Sequence, residues 1–260
     1  MTVLNSIIAG VLEDLAKRKM PDSQLAELIS AAPATRSALH SLRSRSWSLI
    51  AEVKRSSPSK GALAPILEPE RLASKYESAG AAVVSVLTEQ QRFGGSLADL
   101  SAVRNAINIP ILRKDFIVNE YMVRETRAYG ADLLLLIVAG LEKSKLYDLY
   151  HLANSIGLEV LVEIHDQSEL EIALELNPQI IGVNSRNLKT LEIDIENFTN
   201  LIPLIPDSIY RIAESGISSQ KDAQIARDAG ADAILVGESL VKSGQPEDTI
   251  ANFLNIAKTI

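Results

Sequence analysis

Apolar residues recur along this chain with two different periods. Over residues 1–46, Leu4, Ile7, Ile8, Val11, Leu12 and Leu15 return at three- and four-residue steps, which predicts an amphipathic helix with one apolar stripe. Pro21 interrupts the pattern, and Leu25, Leu28 and Ile29 predict a second, shorter helix. Arg43, Arg45 and Trp47, the only tryptophan, then lead into the next segment, and this link is expected to hold the helical extension beside the ligand end of whatever follows. From Leu49 onward short apolar runs alternate with helical stretches. Strands are predicted at 49–54, 82–88, 110–114, 132–138, 159–163, 180–184, 210–214 and 233–237. Between them the helix period returns, as in Leu146, Leu149, Leu152 and Ala153.

The helix stops repeat as well. Ala79-Gly80, Tyr129-Gly130 and Ala229-Gly230 each place a glycine where a helix can end in a left-handed cap. Gly80-Ala-Ala-Val-Val, Gly130-Ala-Asp-Leu-Leu and Gly230-Ala-Asp-Ala-Ile lie 50 and 100 residues apart, multiples of a unit of 25. That length holds one strand, one helix and two short loops. Eight such units predict a closed (β/α)8 TIM barrel, a single domain over 1–260 with a helical N-terminal extension at 1–46. An open doubly wound sheet is the competing architecture, but neither G-x-G-x-x-G nor G-x-x-x-x-G-K-[ST] occurs.

Composition narrows the chemistry. The chain is 47% hydrophobic and 23% charged, with a formal net charge of −7, which argues against a broad nucleic-acid footprint. There is no cysteine, so disulfides, thiolate metal sites and cysteine nucleophiles are excluded, and a reducing cytoplasm is the expected setting. Three histidines make a multi-histidine metal centre an unfavoured reading, and no metal is expected. The longest apolar run, residues 133–139, is far too short to span a bilayer, and Glu13 and Asp14 argue against a signal peptide.

Barrel enzymes place their chemistry at the C-terminal ends of the strands. Those ends are polar here: Glu52 and Lys54, Thr88 with Glu89, Lys114 with Asp115, Glu163, Asn184, Glu214 with Ser215, and Gly237 with Glu238. Strand alternation puts Glu52 and Lys54 on one side. Lysines and carboxylates converging on one mouth would perturb one another's pKa values, as acid–base catalysis requires. After the seventh and eighth strands, Glu214-Ser215-Gly216-Ile217 and Gly237-Glu238-Ser239-Leu240 predict an anion site built on backbone N–H groups, with the Glu238 carboxylate turned away. The polar loop 55–61 is expected to act as a mobile lid beside Lys54. Phe93 and Phe116, two of only four phenylalanines, follow strand ends and suggest an aromatic ligand.

The segment Ile50-Ala51-Glu52-Val53-Lys54-Arg55-Ser56-Ser57-Pro58-Ser59-Lys60-Gly61 resembles the signature of the indole-3-glycerol phosphate synthase family. The resemblance continues through Val86-Leu87-Thr88-Glu89, Phe93-Gly94-Gly95-Ser96, Leu112-Arg113-Lys114-Asp115-Phe116-Ile117 and Leu161-Val162-Glu163-Ile164-His165. It ends with Gly182-Val183-Asn184-Ser185-Arg186-Asn187-Leu188, Ala213-Glu214-Ser215-Gly216-Ile217 and Val236-Gly237-Glu238-Ser239-Leu240. It implies conversion of 1-(2-carboxyphenylamino)-1-deoxyribulose 5-phosphate to indole-3-glycerol phosphate, CO2 and water in tryptophan biosynthesis, without cofactor or metal. It further implies that Lys114 is the general acid and that Glu163 stabilises charge at the anilino nitrogen and moves a proton. Lys54 and Glu52 would hold substrate and serve the dehydration. Asn184, Glu214 and Ser215 would complete the polar ring, with Arg186 in support. Gly216, Gly237 and Glu238 would hold phosphate, and Ser56, Pro58, Phe93, Phe116 and Leu188 would border the substrate.

Two positions depart from the family pattern: Asn119 stands where relatives carry Asp, and Ala62 where a larger apolar residue is usual. The resemblance is to the monofunctional form, which carries no isomerase barrel, and transient contact with other enzymes of the pathway is a further implication. A Schiff-base aldolase barrel with Lys54 or Lys114 as nucleophile is the rival reading.

Overall fold

The structure is a computed structural model and describes residues 2–257. Eight strands, β1 (Ser48–Val53), β2 (Val83–Leu87), β3 (Ile111–Lys114), β4 (Leu133–Ile137), β5 (Glu159–Ile164), β6 (Ile180–Asn184), β7 (Tyr210–Glu214) and β8 (Ala233–Val236), form a closed barrel. Each pairs in parallel with its neighbours in the chain, and β1 closes on β8 through Ser48↔Ala233 to Ala51↔Val236. Every strand begins and ends within one residue of its sequence-based position, because both faces are covered and each reads as a continuous apolar run. The returning helices end as anticipated: Gly80, Gly130 and Gly230 sit at φ +96°, +83° and +101°, open to a residue without a Cβ.

Three helices precede the barrel: α1 (Val3–Arg18), α2 (Asp22–Ala31) and α3 (Ala38–Arg43). Helix α1 starts where the Thr2 hydroxyl accepts the Asn5 N–H, and it buries Leu4, Ile7, Val11 and Leu15. Its stripe is narrower than the sequence suggested, since Leu12 lies a quarter-turn off that face and is 45% exposed; Leu28 of α2 is likewise exposed. The segment between α2 and α3 is tied to the barrel floor. Fully buried Asp132, before β4, accepts the Arg36 and Ile111 N–H groups and pairs with Arg104.

The link through Trp47 enters at the floor and not beside the mouth, because it feeds the N-terminal end of β1. Trp47 is anchored there by its indole N–H to the Phe253 carbonyl at 2.9 Å and by Arg227 over its ring. It is α1 that reaches the mouth: Arg92 and Gln91, after β2, donate to Ser6 and Gly10. Around the barrel lie α4 (Pro69–Ser78), α5 (Leu97–Ala106), α6 (Glu120–Ala128), α7 (Lys143–Ser155), α8 (Gln167–Glu175) and, after the short α9 (Glu196–Leu201), α10 (Gln220–Asp228). The chain continues through α11 (Glu238–Lys242) and α12 (Pro246–Leu254). Asn119 is the N-cap of α6, accepting the Met122 N–H at 3.0 Å, a role Asp fills equally well. Among the described residues no helix is long and apolar enough to cross a membrane.

Candidate active site

The strand ends enclose a cavity of about 480 Å³, a size suited to a small organic ligand. Lys114 projects from the end of β3, Glu163 from β5 and Glu214 from β7. The Lys114 ammonium lies 3.2 Å from Glu163 Oε2 and 3.4 Å from Glu214 Oε2. A second pair stands at the end of β1, with Lys54 Nζ 2.6 Å from Glu52 Oε2. Asn184 pairs in register with Glu214, and its side-chain oxygen accepts the Arg186 N–H at 2.9 Å. All of these residues line the one cavity, as do Ser215, Arg186, Leu188, Gly216, Gly237 and Glu238.

The charges there are uneven. Burial opposes the Lys114 ammonium, but Glu163, Glu214 and Glu52 outweigh it and hold its pKa above the ordinary lysine value. Burial also opposes ionisation of Glu163, yet Lys114, His165 and Asn184 keep it well below the usual carboxylate range. Glu214 goes the other way. Burial and the neighbouring Glu163, against the pull of Lys114, push it up to about 8. Two carboxyl groups share one ammonium, so one is a carboxylate and the other keeps a proton at neutral pH.

Glycine makes this crowding possible. A Cβ on Gly182, in β6, would fall on Glu214 Oε1, and one on Gly237 would meet the Glu52 carboxylate. Gly182 was not marked as a site residue by the sequence. Gly237 was assigned to phosphate, and it also gives room to Glu52.

One face of the cavity is a small hairpin, Ser56–Ser57 against Gly61–Ala62. Arg55 fixes its base with a two-pronged pair to Asp99 at 2.5 and 3.0 Å and bonds to the Ile66 and Gly94 carbonyls. Ser57, Pro58, Ser59 and Lys60 face the cavity. Ser56 does not: its hydroxyl donates to the Arg92 carbonyl at 2.7 Å, because the hairpin pairing turns it toward the loop after β2. Arg186 reaches across to Ser59 Oγ at 3.1 Å. Phe93 and Phe116 lie 6.1 Å apart between ring centroids and, with Pro58 and Leu188, give the cavity an apolar wall, to which α1 adds Ile7.

On the opposite side Ser215 and Gly216 turn through φ +66° and +72°, and Ser239 donates to the Ile217 carbonyl. The Glu238 carboxylate reaches Lys242 at 2.7 Å, one turn along its own helix. Two expected strand-end groups are absent from the cavity wall. Thr88 is hydrogen-bonded to Asp115 and Arg113, and Glu89 accepts the Arg92 and Phe93 N–H groups. Both are committed to shaping the loop. Asp115 does line the cavity, but it is paired with Arg113.

The sequence reading also passed over three contributors. Fully buried Arg113 joins Asp115 to Glu125, which in turn pairs with Arg18 of α1. His165 stands 3.3 Å from Glu163, and Lys242 lines the cavity beside Glu238. Strand alternation, which sets His165 two positions after Glu163, was the available signal for that residue. Among the described residues no group of three His, Asp or Glu side chains is arranged to hold a metal ion.

The fold alone is shared widely. An N-acetylmannosamine-6-phosphate 2-epimerase from Clostridium perfringens superposes with a TM-score of 0.61 at 16% identity, over 84% of this chain and 97% of that one. Likeness in sequence is far closer to one family. Residues 4–253 match the indole-3-glycerol phosphate synthase family. Proteins named indole-3-glycerol phosphate synthase from Streptomyces griseus and Parafrankia sp. are 52% and 50% identical over 98% of this chain, covering 95% and 96% of their own lengths. With the closed barrel, the paired lysines and carboxylates at its mouth and this full-length likeness, the chain belongs to the indole-3-glycerol phosphate synthase family.

Proposed function

We propose that the barrel mouth closes the pyrrole ring of indole-3-glycerol phosphate, with Lys114 as the general acid. The observation that carries this is the Lys114 ammonium between Glu163 and Glu214 on the floor of an apolar-walled cavity. The substrate is 1-(2-carboxyphenylamino)-1-deoxyribulose 5-phosphate. Its aromatic ring rests against Pro58, Phe93, Phe116 and Leu188, and its phosphate lies on the N–H groups of the turns at Gly216 and Gly237. Holding both ends folds the chain so that the aromatic carbon bearing the carboxylate meets the ketone.

As that bond forms, the ketone oxygen gains negative charge, and Lys114 stabilises and protonates it. Loss of CO2 returns the electron pair to the ring. Dehydration then requires a proton for the departing hydroxyl and removal of a proton from the carbon beside nitrogen. Lys54 with Glu52 serves the first demand and Glu163 the second, its negative charge also favouring positive charge on the anilino nitrogen. Protonated Glu214, Asn184 and Ser215 orient the hydroxyl groups, and Arg186 braces the hairpin over them. A cytoplasmic setting and transient contact with other tryptophan-pathway enzymes belong to the same proposal and rest on the family resemblance.

Incubating the purified chain with this substrate and following indole fluorescence tests the reading. Product formation without a borohydride-trapped adduct supports it. A trapped adduct on Lys54 or Lys114 without indole fluorescence would replace it with Schiff-base chemistry.

A further inference from the structure

Glu163 is held from two sides. Its Oε2 faces Lys114, and its Oε1 lies 3.3 Å from Nε2 of His165. That contact is an ion pair, and among the described residues this ring nitrogen has no other partner. The opposite ring nitrogen, Nδ1, is 3.0 Å from Glu169 Oε2, and the same oxygen accepts the His165 backbone N–H at 2.8 Å. Glu169 is itself fixed. It occupies the first turn of α8, where the N-cap Asp166 accepts its N–H at 2.9 Å. Asn197, from α9, donates to the His165 carbonyl at 3.1 Å. Helix α8 thus holds Glu169, Glu169 orients the imidazole, and the imidazole faces the inner carboxylate. The side chains of His165, Glu163 and Glu169 are only 10%, 1% and 15% exposed.

We propose that His165 is a positioning residue for the ring closure, an imidazolium that holds the Glu163 carboxylate in place while Lys114 delivers its proton to the substrate. This rests on the role given to Glu163 above. When Lys114 gives up its proton, Glu163 loses its nearest cation inside a poorly solvated cavity, and a second, fixed cation on the far oxygen keeps it ionised and stationary. The groups facing Glu163 are Lys114 from β3, His165 beyond β5 and the Asn184 amide from β6, with Glu214 from β7 beside it. Those facing His165 are Glu163, Glu169 and Asp166. Burial disfavours the charged ring, but the two flanking glutamates outweigh it and push His165 up to about 10.

The test combines two variants with a spectroscopic titration. His165→Gln keeps a neutral donor and removes the charge; read well below its melting temperature, which should fall because two buried glutamates lose a shared cation, it should lower kcat about 10- to 100-fold with KM within about twofold of wild type. Glu169→Gln, which frees the ring, should give a smaller loss that does not add to the first. His40, His151 and His165 are the only histidines, so the ring signal missing from His165→Gln spectra identifies His165. In the wild-type protein that signal should stay in the imidazolium range from about pH 6 to pH 9, and it should titrate at lower pH in Glu163→Gln. Unchanged kcat in His165→Gln, a loss that follows unfolding, or a His165 signal that titrates as an ordinary histidine would overturn the proposal. The ring titration needs no turnover, and if His165→Gln does not fold, His40→Gln and His151→Gln assign the other two ring signals and leave that of His165 by difference. Failure of the parent reading would be seen separately, as wild-type protein that forms no indole product.

Discussion

Gly182→Ala tests how closely the barrel interior is fitted to Glu214. Gly182 does not occupy the left-handed region, so alanine meets no backbone penalty there. Its Cβ would fall on Glu214 Oε1, 3.0 Å from Glu214 Cδ and 3.1 Å from Leu161 Cδ1. Restoring an ordinary carbon–oxygen separation requires the carboxyl group to move by about 1 Å or more. Glu214 is 1% exposed and only 3.4 Å from Lys114, so the movement displaces the ammonium too. A misplacement of that size costs about a hundredfold in rate, and overpacking a rigid interior costs about 1–3 kcal/mol of stability. Indole-fluorescence kinetics and urea unfolding of Gly182→Ala should show both losses. In a Glu214→Ala background the stability loss should largely vanish, because the obstructing group is gone. Wild-type kcat and stability in the single variant would refute the reasoning, as would an equal stability loss with Glu214 truncated.

Glu214→Gln mimics the protonated acid and should keep most activity at pH 7. Native Glu214, pushed up to about 8, binds a proton that the unfolded chain has released above the ordinary carboxyl pKa. The stability of wild type relative to Glu214→Gln should therefore fall as pH rises from about 4.5 to about 8, which melts across that window will check. Arg18→Met removes the α1 partner of buried Glu125 and should cost about 1–3 kcal/mol in chemical denaturation. Arg113→Met strands both Asp115 and Glu125 and should cost more, about 3–5 kcal/mol.

The barrel was legible because its signals are local and repeated. Continuous apolar runs, a unit near 25 residues and glycine stops at 80, 130 and 230 all lead to the same topology. The candidate lysines and carboxylates were legible because parallel strands bring all their C-terminal ends to one mouth. Groups whose direction depends on nonlocal pairing were not. Ser56 and Ser57 are adjacent and identical in type, and only the hairpin register decides which faces the cavity. Thr88 and Glu89 end a strand as Lys114 does, yet Arg113 and the Arg92–Phe93 turn take up their polar atoms. Gly182 resembles any glycine in a strand until Glu214 is seen to occupy the space a Cβ would fill. The path of the extension was misplaced at Trp47 because chain direction sets which end of β1 it enters, while Ile7 reaches the cavity through a helix lying along the outside.

Steady-state kinetics of Lys114→Met and Lys114→Arg, with thermal melts of both, test the central claim most directly. Lys114→Met keeps the apolar stem and loses the proton and the charge, so kcat should fall at least about a hundredfold. Part of any stability loss is expected in that variant, since Glu163 and Glu214 lose their shared cation. Lys114→Arg keeps the charge, but a guanidinium with a pKa above about 12 is a poor proton donor, and little of the rate should return even where the fold is intact. Near-wild-type kcat in Lys114→Arg would contradict the account, leaving Lys114 as a counter-ion for the two glutamates and shifting the acid to Lys54.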